Sequence, residues 1–146
     1  MPTIRDFWLV MKDVLRCARH IINAELEPLN LTSAEGDILF HLLTGSDGFT
    51  QEKLADRLDV GKAAISRTVD SLVAKGFLQR APHPSDARAY QLTLTERAVN
   101  TGPKIEHAYN HVYEIVKKSI PESEFEQLAR LLARVAGNLH AAEVAR

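Results

Sequence analysis

Thr50 to Arg80 reads TQEKLADRLDVGKAAISRTVDSLVAKGFLQR, and its punctuation decides the fold. Thr50 has the side chain of a helix N-cap, ahead of a short helix, Gln51 to Leu58, with Leu54, Ala55 and Leu58 on one face. Asp59-Val60-Gly61 makes a tight turn. A second helix runs from Lys62 to Lys75 and stops at Gly76, where a left-handed residue is favoured. Phe77-Leu78-Gln79-Arg80 then begins a strand, the turn-rich Pro82 to Asp86 reverses the chain, and the alternating Tyr90-Gln91-Leu92-Thr93-Leu94 returns as a second strand. A helix–turn–helix followed by a β-hairpin is a winged helix.

Working outward, Thr32-Ser33-Ala34-Glu35 is a capping box opening a helix with Ile38, Leu39, Leu42 and Leu43. Before it, Ile4 to Glu27 repeats apolar residues every three or four positions (Phe7, Met11, Val14, Ala18, Ile21), the period of an amphipathic helix that Pro28 ends. Between the second and third helices, Thr44 to Gly48 is a loop. After the hairpin, Thr95 and Glu96 open a long helical tract with Ile105, Tyr109, Val112 and Val116 on one stripe. Gly102-Pro103 is expected to kink or interrupt its first turns. Pro121 starts a last helix whose Phe125, Leu128, Leu132, Val135 and Leu139 form a coiled-coil-like seam. The expected fold is mostly α with a small β-hairpin wing. It divides into a dimerisation helix (1–30), a winged helix-turn-helix (31–98) and further dimerisation helices (99–146).

The chain has 146 residues, 45% of them apolar and 25% charged, which is ordinary for one globular domain. No apolar run approaches the roughly 20 residues of a membrane helix. The N-terminus carries charges inside its apolar stretch and lacks a small-residue cleavage site, so a secretory signal is excluded and the cytoplasm is the expected location. The single cysteine, Cys17, can form neither an internal disulfide nor a thiolate-rich zinc site. The net charge is −1, yet Lys62, Arg67, Lys75, Arg80 and Arg88 against Asp70 and Asp86 give residues 60–95 a charge of +3, which leaves −4 elsewhere. A basic middle between acidic ends fits a local DNA-facing surface.

At about 100° per residue, Val69, Leu72 and Val73 fall within roughly 80° of Ile65 on the second helix of the central block. Ala63, Arg67, Asp70 and Ala74 fall opposite. Small and polar residues there let a helix lie deep in a major groove while Arg67 reaches base edges or phosphate. Lys62, Ser66 and Ser71 flank that face and suit phosphate contacts, as do Thr50 and Gln51 at the preceding helix N-terminus. In Asp86-Ala87-Arg88 a carboxylate two residues from a guanidinium holds it for a narrow minor groove. The plainer alternative is a solvated helix face on a structural domain, or a winged helix used for protein–protein assembly.

The sequence resembles the MarR-type winged-helix transcriptional regulators. The resemblance lies in LTSAEGDIL (Leu31 to Leu39), Thr50 to Arg80 and DARAYQLTLTERA (Asp86 to Ala98), about two-thirds of the chain. It implies an obligate homodimer, joined through the first and last two helices, that binds pseudo-palindromic double-stranded operator DNA, as repressor more than activator. It implies Asp86 and Arg88 as the wing pair and Lys62 to Arg67 as the start of the recognition helix. Ala87 stands where the family often has a second basic residue. The apolar seams on the terminal helices independently favour self-association, with intramolecular packing as the alternative.

The resemblance also implies a signal, in many members a small phenolic or aromatic acid bound where the dimer helices meet the winged helix. Trp8, Met11, Arg16, Arg19, His20, Phe40 and His41 supply apolar walls and cations for such an effector. A zinc-responsive variant is a second reading: Asp37 and His41 share one helix face, His107 and His111 another, and two such pairs meeting make an acceptable ligand set. The family's zinc ligands do not align with these positions. Cys17 beside Arg16 invites a redox role, although a lone helical cysteine is usually a small buried hydrophobe. No required cofactor is expected. A phosphate loop, a dinucleotide fingerprint, GxSxG and HExxH are all missing from the sequence, so catalysis is not expected.

Overall fold

The computed structural model describes residues 1–45 and 50–146, with the side chains of all of these except residue 83 and residues 86–89. Among the described residues six α-helices and one hairpin follow the expected order: α1 (Ile4–Leu26), α2 (Ser33–Thr44), α3 (Gln51–Leu58), α4 (Lys62–Ala74), β1 (Leu78–His83), β2 (Asp86–Leu94), α5 (Glu96–Lys117) and α6 (Glu122–Val144). Local chemistry accounts for most of the boundaries. Thr3 with Asp6 and Thr32 with Glu35 close complete capping boxes at the starts of α1 and α2. Thr50 Oγ1 accepts the Lys53 amide at the start of α3. Gly76, at φ +82°, ends the α4 segment. Pro28 lies in a single 3₁₀ turn, Glu27–Leu29, after which Asn30 adopts φ +59°.

Two compact units divide the chain, Met1–Val112 and Tyr113–Arg146. The core of the first joins Leu26, Ile38, Leu39, Leu54, Ile65, Val69, Leu72, Phe77, Leu78, Leu92, Ile105 and Ala108 from every element between α1 and α5. The hairpin pairs antiparallel, Leu78 opposite Leu94 and Arg80 opposite Leu92, so Leu78 and Leu92 sit in the core. Thr50 bridges to Gln91, tying the entry of α3 to the wing. In the second unit, Tyr113 meets Phe125 edge-on with ring centres 5.5 Å apart, and Lys117 lies 4.6 Å over the Tyr113 ring.

The structure corrects four expectations. The strands extend into 82–86, with a register shift between Pro82 and His83, because pairing with β2 outweighs the turn preference of the prolines. α5 runs through Pro103 without interruption. A Cβ on Gly102 would stand 3.1 Å from Leu43 Cδ2, and Ile105 is fully buried. That packing holds the segment helical although proline removes the amide that would bond Val99. Val73 is 37% exposed and lies at the edge of the apolar face of α4. Cys17 is exposed, on a stretch of α1 whose residues are mostly exposed. The loop residues 46–48 lie outside the described residues.

Candidate nucleic-acid interface

α4 presents one face to its neighbours and one to solvent. Ile65, Val69 and Leu72 are buried, and Ala63, Arg67, Asp70 and Ala74 are exposed. The outward face thus has two short side chains, one cation and one anion. Arg67 makes no hydrogen bond or ion pair among the described residues, whereas Asp70 is bound by Arg80 at 2.6 Å.

Arg80 reaches out from β1. Its Nη1 holds Asp70, its Nε donates to Gln51 Oε1 (3.2 Å), and its Nη2 points to the Ser66 carbonyl (3.4 Å). One guanidinium therefore joins the wing, α3 and α4. In the sequence Arg80 is only a positive charge, since its partners lie up to 29 positions away.

Thr50, Gln51 and Lys62 come together around a cleft of about 200 Å³, also lined by Glu52 and Tyr90. Tyr90 is exposed on β2 and joins this group through the hairpin's fold, which strand alternation alone did not reveal. Ser66 is half-buried on the flank of α4. Ser71 departs from the expected phosphate-facing role: its hydroxyl donates to Glu35 Oε2 at 2.9 Å, on the side of α4 that meets α2. Asp86 and Arg88 lie on β2, and their side chains fall outside the described residues.

Behind the interface, Glu35 is 3% exposed and accepts from the Thr32 amide, Ser71 Oγ and Lys75 Nζ, each at 2.9 Å. Burial alone would raise its pKa. The hydrogen bonds from Lys75, Thr32 and Ser71, with the Lys75 charge, outweigh burial and hold the carboxyl below its ordinary value. Lys75 also donates to the Asn30 carbonyl at 2.7 Å, linking the junction of α1 and α2 to the end of α4.

The residues read as an effector site are only partly gathered. Phe40 stacks on Tyr109 with ring centres 4.3 Å apart and meets His41 edge-on. Trp8 is exposed beside Lys12, and Arg16 pairs with Asp13 at 3.1 Å. From Trp8 to His20 the helix rises about 18 Å, so these side chains do not converge within one chain.

The two metal pairs are engaged elsewhere. Asp37 accepts from the Tyr109 hydroxyl at 2.5 Å, and His41 Nδ1 donates to the Asp37 carbonyl at 2.8 Å. His107 stacks with His111, which pairs with Glu25. Among the described residues no three of His, Cys, Asp and Glu are grouped as ligands for a metal. Asp37, His41, His107 and His111 therefore do not form the zinc set that their spacing suggested.

Residues 29–89 match the sequence model of the MarR family. Solved structures agree along nearly the whole chain. The transcriptional regulator PA3341 is 29% identical, with 92% of this chain and 98% of that one covered and a TM-score of 0.85. The transcriptional regulator SlyA is 26% identical, with 92% and 94% covered and a TM-score of 0.83. A MarR-family regulator from Listeria monocytogenes, solved with a 26mer DNA, is 24% identical, with 95% and 89% covered and a TM-score of 0.82, and bears on the fold. Members of this family are transcription regulators and not enzymes. The chain thus shares its winged-helix fold with MarR-family transcriptional regulators and is similar to that family's sequence model over residues 29–89.

Proposed function

We propose that this chain binds double-stranded DNA of defined sequence as a homodimer and represses transcription until a small ligand releases it. One observation carries the reading: the exposed face of α4, where Ala63 and Ala74 leave room and Arg67 is unengaged among the described residues, beside a two-stranded wing. That face suits a major groove, with Lys62, Ser66, Thr50 and Gln51 available for phosphates, and the sequence assigns Arg88 with Asp86 to the minor groove. The Listeria relative solved with DNA supports it.

Two-fold pairing supplies the second half of a pseudo-palindrome, about 34 Å away. It is supported by Phe7, Trp8, Val14 and Leu15 on α1 and Leu128, Leu131, Leu132 and Leu139 on α6, all exposed. Residues 1–30 and 99–146 would then serve the dimer and 31–98 the DNA. The effector fits best as an anionic phenolic or aromatic acid, because its walls and cations (Trp8, Met11, Arg16, Arg19, His20) line α1 near that interface. No described helix is long and apolar enough to cross a membrane, and a DNA-binding role would put the protein in the cytoplasm.

The test is fluorescence anisotropy on the DNA upstream of its own gene against an unrelated duplex, at two salt concentrations. Tight, salt-sensitive binding to the upstream fragment alone, released by phenolic acids, is the expected result. Equal weak binding to both duplexes, insensitive to salt, would move the weight to a protein-assembly module.

A further inference from the structure

The outward face of α4 carries a contradiction. Asp70 stands three positions from Arg67 on the same exposed face, within ordinary reach for an intrahelical ion pair. A carboxylate there repels phosphate, and it also competes for the one cation that the face offers to DNA. Yet Asp70, with 63% of its side chain exposed, is bound by Arg80 and not by Arg67.

Arg80 itself is committed inside the fold. Each of its three nitrogens faces an acceptor (Asp70, Gln51 or the Ser66 carbonyl), and its side chain is 24% exposed. Three of its five N–H donors are thus engaged within the fold, one on each nitrogen. Its position on β1 holds it against α4 independently of DNA.

We infer that Arg80 is a positioning residue that sequesters Asp70, and so keeps Arg67 available to the DNA. This rests on the DNA-binding reading above. When Arg80 is removed, Asp70 turns to Arg67, and the recognition helix loses its reader and gains an exposed negative charge. The loss should therefore depend on Asp70 being present, which separates this role from simple support of the wing.

The experiment uses the full-length chain and a duplex that the parent protein selects from a random pool. Arg80→Met is expected to weaken binding about tenfold, the usual size of coupling between neighbouring charged groups. Asp70→Asn added to Arg80→Met should return affinity to within about threefold of the parent. Arg80→Lys, which keeps a cation beside Asp70, should lose less than Arg80→Met. In an Arg67→Met background, Arg80→Met should change little. Equal losses with and without Asp70, or losses at Arg67 and Arg80 that simply add, would overturn the inference.

A denaturation cycle over Arg80→Met, Asp70→Asn and the double variant checks the pair without DNA. Independent midpoints there would remove the pair while leaving the DNA-binding reading intact. A parent chain that shows the coupling but selects no duplex would instead sink the DNA-binding reading, and this role with it.

Discussion

Glu35 and Lys75 form an ion pair at 2.9 Å between the first turn of α2 and the cap of α4, with a carboxylate that is almost wholly enclosed. The same carboxylate completes the capping box of α2 and takes the Ser71 hydroxyl. Helix start and helix packing thus depend on one side chain. The Lys75 ammonium also reaches the carbonyl of Asn30, a left-handed residue at the turn out of α1. The end of α4 is therefore tied to the turn that follows α1, the helix that carries an exposed apolar face.

Replacing Glu35 by Gln keeps the shape of the cap and leaves Lys75 without its counter-charge. The cost should be about 2 kcal/mol, typical of hydrogen bonds to a charged group in a largely enclosed site. The pH dependence follows from the direction of the shift. The folded carboxyl lies below its ordinary value of 4.5. Its contribution is complete above that value and disappears as pH falls through the depressed folded pKa. Urea denaturation of parent and E35Q should show a constant gap at neutral pH that narrows in acid. A gap that widened on acidification would contradict the assignment.

Gly36, one residue on, shows how closely α1 and α2 approach. A Cβ there would stand 2.3 Å from Leu26 Cδ1 and 3.0 Å from the Tyr109 hydroxyl oxygen. Leu26 is fully buried and has nowhere to move. Alanine normally favours a helix by about 1 kcal/mol over glycine, but overpacking of this kind costs about 1–3 kcal/mol. Gly36→Ala should therefore be net destabilising by thermal melting, and an unchanged or raised Tm would show that the helices can part cheaply.

The features legible in the sequence are those decided within a few residues. The Thr32–Glu35 box, the Thr50 cap, the left-handed Gly76 and the periodicity of α4 each act locally, and each lies where expected. Features decided by distant partners were not legible. Pro103 reads as a helix breaker until Gly102 is seen packed on Leu43. Ser71 reads as a surface hydroxyl until Glu35, 36 positions earlier, takes it. The proposed zinc set failed for the same reason. Spacing puts Asp37 with His41 and His107 with His111, but it cannot show that Tyr109 and Glu25 already occupy a member of each pair. Arg80 belongs with these, because a fork serving three acceptors on two helices has no sequence signature.

Tyr109 gives a spectroscopic check on the packing of α5 against α2. Burial, then its hydrogen bond to Asp37 and the charge of that carboxylate, push the phenol far above its ordinary value of 10.0. The folded state therefore retains a proton that the unfolded chain gives up. The resulting stabilisation is complete below about pH 10 and lost as pH rises further. Tyr109→Phe keeps the stack on Phe40 and removes the hydrogen bond, at a cost of about 2 kcal/mol. In alkaline titration of the folded protein, parent and Y109F should develop the same phenolate absorbance. A smaller amplitude in Y109F would mean that Tyr109 ionises with solvent access.

Leu132 lies in the middle of the apolar seam of α6 and is 41% exposed. If that seam closes a dimer, an aspartate there places two carboxylates near a two-fold axis in an apolar surround, and each must lose much of its hydration. Leu132→Asp should then yield a monomer by sedimentation velocity. It should also lose tight binding to the selected duplex, because one winged helix reaches only one half-site. The far-ultraviolet circular dichroism of the winged-helix core should remain, since its buried residues lie between Ile22 and Ala108. A variant that stays dimeric would put the interface on α1 or elsewhere. A monomer that still binds the full site as tightly as the parent would show that a single copy is the working unit.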